Sequence, residues 1–226
     1  MKTKITVAMI MFIGFVLCSA VAAYYPALIV RECPHCKAHV VQEETLSGNT
    51  IGARIYTDGK REAKMLPDHP RLAKCPFCGG LFWVDEAVKV SFGIEAAKGK
   101  KKVLAPSEKE MLNFMAGQTL PEDKEIYLRM RCWWATNDAW RKLSDPKPAF
   151  SPEQVKNLEA LSALFDESLP GHRIQKAEIA RELGNFAECL LLLSYQFGEG
   201  YDFATNFIRK LAEEKVRAVK QFEPRK

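Results

Sequence analysis

The sequence predicts an α+β protein: a small β-rich domain, then an all-α domain of antiparallel helix pairs, with an apolar leader in front. Three observations predict this order. Two C-P-x-C units lie 38 residues apart among turns and short alternating apolar segments. The second half of the chain repeats helix start signals at short intervals, and the first 30 residues contain a long apolar run.

Length and composition are those of a folded protein. The chain has 226 residues, 47% hydrophobic and 27% charged, which allows one or two domains and excludes wholesale disorder. The net charge is +5 and falls to +3 without Lys2 and Lys4. This excess is too small to indicate nucleic acid or an anionic membrane as a partner by itself.

Residues 1–30 form the leader. The basic "MKTK" precedes the 13-residue apolar run Ile5–Leu17, and "AVAA" at residues 20–23 offers two small-x-small cleavage sites. This layout is typical of a secretory signal peptide. The alternative is an uncleaved transmembrane anchor, because low polarity continues to Val30. Either form predicts a chain exported to the cell envelope, as a periplasmic or secreted protein or one anchored in the inner membrane with the N-terminus inside.

Residues 31–95 contain the β-rich domain. "AHVVQEE" predicts a strand, and "TIGARIY" followed by "TDGK" predicts a hairpin with Asp58-Gly59 in a type I′ turn. "LFWVDEAVKVSF" predicts a further strand pair or one extended strand. We therefore expect a hairpin inserted between the two cysteine units. Residues 96–106, "AAKGKKKVLAP", then read as a solvated basic linker.

Residues 107–226 read as about six helices. Capping boxes are predicted at Ser107 with Glu110, Thr119 with Glu122, and Ser151 with Gln154. Stop signals are predicted at Gly117, "SDPKP", "LPG", Gly184 and "GEG". Apolar residues recur at helical spacing on three faces, which are Ile126, Met130 and Trp133; Leu158, Leu161 and Phe165; and Phe203, Phe207 and Leu211.

The paired cysteines carry the clearest chemical signal. A C-x-x-C turn presents two thiolates to one ion, and a second such turn completes the four soft ligands in a tetrahedron that zinc prefers. The pattern predicts a Zn²⁺ site with Cys33, Cys36, Cys75 and Cys78 as ligands. A gap of 38 residues is long for such a site.

Two alternatives to zinc remain open. Cys33-Pro34-His35-Cys36 is also the tetrapeptide of thioredoxin-like oxidases, in which Cys33 would attack and Cys36 would resolve. That fold needs a helix directly after the motif, whereas "KAHVVQEETL" does not read as one. Structural disulfides are the other alternative, since an exported protein meets an oxidising compartment.

The remaining residues of chemical interest favour structural roles. His35 and His39 read as surface residues of the first cysteine turn, and His69 and His172 as turn and helix-start residues. Cys132, Cys189 and the tryptophans at 133, 134 and 140 read as helix or core residues. No Ser/His/Asp set, H-E-x-x-H motif or phosphate loop is present. We therefore expect a binding protein rather than an enzyme, with no catalytic residue, no organic cofactor and no small-molecule substrate.

The segments "CPHC", "TLSGNTIGARIYTDGKREAKMLP" and "CPFCGGLFW" resemble a family of bacterial zinc-ribbon-like proteins of uncharacterised activity that have a helical C-terminal half. The resemblance covers residues 33–86 well and the helices more loosely. It implies a metal-binding role for the four cysteines and no activity. "AEIARELGNFAECLLLL" is similar to the turn of one tetratricopeptide hairpin, with Ala177, Leu183, Gly184 and Phe186 in its pattern.

These observations together predict a non-catalytic zinc-binding adaptor or scaffold of the cell envelope. The helical half would hold a protein or peptide partner, and residues 5–30 would contact the membrane if they are not removed. Nucleic acid is not an expected partner, because "KGKKK" and Lys215–Lys226 are short basic stretches. The thiol-disulfide oxidoreductase is the alternative function, and a helical half that only caps the zinc domain is the alternative to a docking module.

Overall fold

The computed structural model describes residues 25–141 and 149–222. It has the expected α+β class, with small antiparallel sheets followed by a helical C-terminal half. The strands are β1 (Tyr25–Glu32), β2 (His39–Ser47), β3 (Arg54–Ile55), β4 (Arg61–Glu62), β5 (Leu72–Lys74), β6 (Leu81–Trp83) and β7 (Lys89–Phe92). The helices are α1 (Ile94–Ala97), α2 (Glu108–Ala116), α3 (Glu122–Asp138), α4 (Pro152–Leu164), α5 (Pro170–Leu183), α6 (Phe186–Leu192) and α7 (Asp202–Glu213).

The largest sheet has three antiparallel strands in the order β2-β1-β7. Its central strand corrects the predicted leader boundary, because residues 25–30 belong to β1 and Val30 is fully buried. A strand buried on both faces reads as a continuous apolar run, so hydropathy alone could not separate it from the leader. The rest of the predicted leader lies outside the described residues.

The predicted hairpin between the cysteine pairs is present as β3 and β4. Its turn is not type I′, because Gly59 has a φ of 79° but Asp58 does not have a positive φ. The Tyr56 N–H donates to the Lys60 carbonyl and the Gly59 N–H to the Tyr56 carbonyl, each at 2.9 Å. These bonds define a three-residue loop with a glycine bulge, which Asp-Gly also suits. We call residues 48–70 the inserted arm.

Strands β5 and β6 form a separate antiparallel hairpin around the second cysteine pair. The predicted basic linker has exposed lysine side chains, as a solvated segment would, but its backbone also pairs with two strands. Its first residues end α1, and residues 101–104 then hydrogen-bond to both Val41 of β2 and Lys74 of β5. The linker is thus a cross-piece that joins the strand after the first cysteine pair to the strand before the second. The lysine-rich composition could not predict this role, because the hydrogen bonds of residues 101–104 are made by the backbone.

Six helices lie within the described part of residues 107–226, as predicted. The capping boxes at Ser107 and Ser151 and the left-handed C-cap at Gly184 are confirmed. The box at Thr119 is wrong, because α3 begins at Glu122 with Pro121 as its N-cap. "LPG" does not stop a helix either: Pro170 is the first residue of α5, where its missing N–H has no consequence. The "SDPKP" stop lies outside the described residues.

The two halves share a hydrophobic core. Trp83 of β6 and Leu72 of β5 pack with Met111 of α2 and Leu128 of α3. A second cluster joins α3, α4 and α5, and includes the three predicted face residues of α3 and those of α4. Between residues 25 and 222, outside the gap at 142–148, no helix is long and apolar enough to cross a membrane.

Candidate metal centre

The two C-P-x-C units fold into matching turns. The Cys33 N–H donates to the Ala38 carbonyl at 2.9 Å, and the Lys37 N–H donates to the Cys33 carbonyl at 3.0 Å. The second turn repeats both bonds at the same distances, from the Cys75 N–H to Gly80 and from the Gly79 N–H to Cys75. The fifth residue of each turn has a positive φ, 62° at Lys37 and 75° at Gly79. The repeated motif thus produces a repeated local structure.

The turns bring the four cysteines predicted as ligands together. Their Sγ atoms all lie within 4.8 Å of one another. The shortest contacts join one turn to the other: Cys33 to Cys78 at 3.8 Å and Cys36 to Cys75 at 3.7 Å. A disulfide requires about 2.05 Å, and all four cysteines are free. The four thiols are therefore positioned to hold a metal ion.

The cluster lies on an apolar floor at the protein surface. Cys33 and Cys75 are buried, whereas Cys36 and Cys78 are exposed. The buried pair packs with Val40, Ala73, Phe82 and Val84 from the surrounding strands, and with Val103 of the cross-piece. A floor without polar side chains offers no competing ligand from below.

Burial and backbone amides shift the pKa values of the two buried thiols in opposite directions. Burial raises the pKa of Cys33. Burial also opposes ionisation of Cys75, but the backbone N–H groups of Cys78 and Phe77 lower its pKa to about 7. An oxidoreductase needs the opposite order, with Cys33 as the thiolate at a helix N-terminus. The element that follows Cys36 is instead strand β2, which begins at His39.

Two contacts brace the second turn. The His35 Nε2 atom lies 2.8 Å from the Leu81 carbonyl oxygen, and its ring fills the space where a Cβ on Gly80 would approach Cδ2 to 2.5 Å. His35 is thus a packing residue between the turns and stands outside the sulfur cluster. Lys74 directly precedes Cys75 in the sequence, and its ammonium group donates to Glu110 at 2.6 Å. Together with the Ser107 cap, Lys74 lowers the pKa of Glu110 to about 2.

The other histidines and cysteines occupy structural positions. His39 is exposed at the start of β2, and His69 lies 3.0 Å from the Thr45 hydroxyl. The ring of His172 lies 4.9 Å from that of Phe165. Cys132 and Cys189 are buried in helices, and burial raises the pKa of each thiol to about 12.

A buried polar network holds the inserted arm against the helices, and no sequence motif predicted it. Arg141 donates to both carboxylate oxygens of Asp58, at 3.2 and 2.5 Å, and the two side chains are 3% and 0% exposed. The Asn137 amide bridges Asp58 and Glu182 at 2.9 and 3.1 Å. The Trp134 indole N–H donates to the Asp58 carbonyl at 3.0 Å. We call these residues the arm clamp.

The arm also forms one wall of a cleft of about 970 Å³, whose other wall is helix α3. Its floor is apolar and includes Leu72, Met111 and Leu128. Its rim is charged, and carries Arg54, Lys60, Arg61, Glu62, Lys64, Asp68, Arg131 and Asp138. Most of these charges are paired with each other: Arg54 with Glu62, Lys60 with Asp138 and Arg131 with Asp68. Within the described residues, Arg61 and Lys64 form no ion pair and are exposed.

We compared the chain with known proteins. No family model, curated protein or solved structure matches this chain. The geometry of the chain itself therefore carries the functional argument.

Proposed function

We propose that this protein is a non-catalytic zinc-binding scaffold of the cell envelope, with Zn²⁺ held by Cys33, Cys36, Cys75 and Cys78. The spacing of the sulfur atoms carries the proposal. Zinc binds thiolates at about 2.3 Å, and the edge of a tetrahedron is 1.63 times the distance from its centre to a corner, so sulfur atoms on one zinc ion lie about 3.8 Å apart. The closest pairs lie at 3.7 and 3.8 Å.

Four thiolates also argue for a structural ion. A catalytic zinc site keeps one position open for water, whereas a Cys₄ set closes the shell. The ion would tie together β1, β2, β5 and β6, whose ends carry the two turns. Sheets of two and three short strands have little core of their own, and metal binding would supply part of their folding free energy.

Elemental analysis of the purified full chain tests this proposal. After reducing, zinc-replete expression we expect about one zinc ion per chain. Cys36→Ser and Cys78→Ser should each reduce zinc to background. Cys132→Ala and Cys189→Ala, two buried cysteines outside the cluster, are the matched controls and should keep it. A wild-type chain without zinc would refute the proposal.

The oxidoreductase alternative predicts a different pattern. Catalysis by Cys33 and Cys36 would give insulin reduction that depends on Cys33 and is indifferent to Cys75→Ser. The raised pKa of Cys33 and the strand after Cys36 disfavour it. Loss of activity from both pairs together would indicate only a loss of folding.

We propose the cleft between the inserted arm and α3 as the site of the protein or peptide partner. An apolar floor with Arg61 and Lys64 exposed on the rim suits an extended segment that carries apolar anchors and acidic side chains. Trp134 and Tyr127 add aromatic surface to the α3 wall. Aromatic side chains are common anchors at such interfaces.

Differential capture from envelope extract tests the cleft. The full chain is the bait, and Arg61→Glu/Lys64→Glu should lose a protein that the wild type retains. Lys109→Glu/Lys156→Glu, a double reversal at exposed lysines of a second groove between α2 and α4, is the matched control and should still retain it. If both variants capture what the wild type captures, the helical half is better explained as a cap on the zinc domain.

In this proposal the leader directs export of the chain to the cell envelope. A reporter active only outside the cytoplasm, fused after residue 40, should be active. A silent reporter with an intact Met1 would contradict export.

A further inference from the structure

One end of the three-stranded sheet carries exposed apolar side chains around the start of β1. Ser47 lies opposite Tyr25 and Thr45 opposite Pro26, so Leu46 of β2 is at this end. Phe92 pairs with Ile29 near the middle of β1, and the Gly93 N–H donates to the Leu28 carbonyl at 2.9 Å, so the antiparallel chain runs from Phe92 toward the start of β1 and Ile94 lies nearer that end. Leu46, Phe92 and Ile94 are 66%, 55% and 76% exposed. We call these three residues the entry patch.

The entry patch is not the outer side of a core cluster. On one face of this sheet Val30 and Val41 pack against Ala97 of α1, and on the other face Val40 packs with the buried cysteines. Phe92 and Ile94 instead line an open groove of about 630 Å³ with the first residues of β1. Strand β7 pairs only with β1 among the described strands, and Val90 of β7 and Val88 just before it are also exposed. Several large apolar side chains exposed on one small sheet indicate a contact outside the chain.

The residues before β1 indicate what contacts the entry patch. Residues 5–24 contain no charged residue, and they number 20, the length that a transmembrane helix requires. Because β1 begins at Tyr25, no linker separates such a span from the sheet. An anchor ending there holds the start of β1 at the bilayer surface, and with it the three side chains of the entry patch. This step rests on the anchored form of the proposed function.

The charges near the patch suit anionic lipid. Lys98 and Lys100 directly follow α1 and are exposed, and Lys89 of β7 lies with its ammonium 5.2 Å from the Phe92 ring centre. Glu95 of α1 is the acidic residue closest in sequence to Ile94. Lysines near an anionic surface are attracted to it. Apolar tips flanked by lysines are the usual composition of an interfacial contact.

We propose that the entry patch rests in the headgroup region of an anionic bilayer, with Phe92 and Ile94 inserted beside the anchor. The sheet then stands on the membrane. β1 has eight residues, which at about 3.3 Å each separate its two ends by roughly 26 Å. The cysteine cluster follows the far end of β1, so it is held at that height above the lipid.

Site-specific photocrosslinking of the full chain in phosphatidylglycerol/phosphatidylethanolamine liposomes tests this arrangement. A benzophenone side chain replaces Phe92 in one variant and Phe77 in its control. Phe77 is a phenylalanine of similar exposure, 53%, in the second cysteine turn at the opposite end of β1. We expect a phospholipid adduct at position 92 in several-fold excess over position 77, detected as a mass increase.

Each other outcome overturns the inference, and the outcomes separate it from the anchor. If the chain floats with the liposomes but gives no adduct at 92, or equal adducts at both positions, the anchor is supported and the insertion of the entry patch is refuted. A crosslinked dimer at 92 assigns the patch to a second copy of the chain. If the chain does not float with the liposomes, both the anchor and the insertion of the entry patch are refuted. Lys98→Glu/Lys100→Glu should lower the adduct yield at 92, and an unchanged yield overturns the role of the lysines.

Discussion

Asp58→Ala should destabilise the protein strongly, although Asp58 lies at a hairpin turn. The substitution removes the carboxylate that receives two of the three guanidinium hydrogen bonds of Arg141 and one from Asn137. The guanidinium is 3% exposed and would remain buried. Its other carboxylate partner within the described residues is Asp138, at 2.8 Å and 46% exposed.

The magnitude follows from the partner that remains. Removing one member of a buried ion pair costs about 3–5 kcal/mol, because the other charge stays buried without compensation. Asp138 compensates Arg141 in part, so we expect the lower end of this range, about 3 kcal/mol. With an m-value of about 2.5 kcal/mol/M, the urea midpoint should fall by roughly 1.2 M.

Urea unfolding followed by tryptophan fluorescence provides the assay. Asp85→Ala is the matched control, because Asp85 is exposed in the turn after β6, and it should change the free energy of unfolding by less than about 0.5 kcal/mol. A double-mutant cycle with Arg141→Ala should give a coupling energy of about 2 kcal/mol or more. Equal midpoints for Asp58→Ala and Asp85→Ala would refute the reasoning that the arm clamp holds the two halves together.

Three further predictions concern backbone strain and pH. Lys37→Gly should stabilise and Gly79→Ala destabilise the protein, each by up to ~1 kcal/mol, since both positions have a positive φ; a destabilising Lys37→Gly in urea melts would contradict this. Gly59→Ala should lower the melting temperature more than Gly52→Ala, because both have a positive φ but only at 59 would the new Cβ meet a side chain, at 2.5 Å; equal shifts would mean that this contact is unimportant. The pKa of Glu110 lies at about 2 against an ordinary 4.5, so its ion pair stabilises the fold above pH 4.5 and is lost as the pH falls through 2. Glu110→Gln should therefore flatten the fall of the melting temperature between pH 5 and 2, and an unchanged profile would count against this assignment.

Local features of the fold could be predicted from the sequence. The capping boxes at Ser107 and Ser151 and the glycine cap at 184 were correct because each is a contact within four residues along the chain. The two matching cysteine turns were also local, since each repeats the same bonds over six residues. Their meeting was inferred from the chemistry of paired thiols, and the sulfur cluster is consistent with it.

Contacts between distant segments could not be predicted in this way. From the sequence, residues 25–30 were assigned to the leader, the lysine-rich segment to a linker and Asp58 to a type I′ hairpin turn. All three are instead fixed by partners far along the chain: β2 and β7, Lys74, and Arg141. An aspartate in a turn has the same sequence signature whether it faces water or a buried guanidinium. The sequence by itself thus determined the fold class, several helix boundaries and the four cysteines. Only the tertiary structure decided how the arm, the linker and β1 pack, because burial depends on which segments meet.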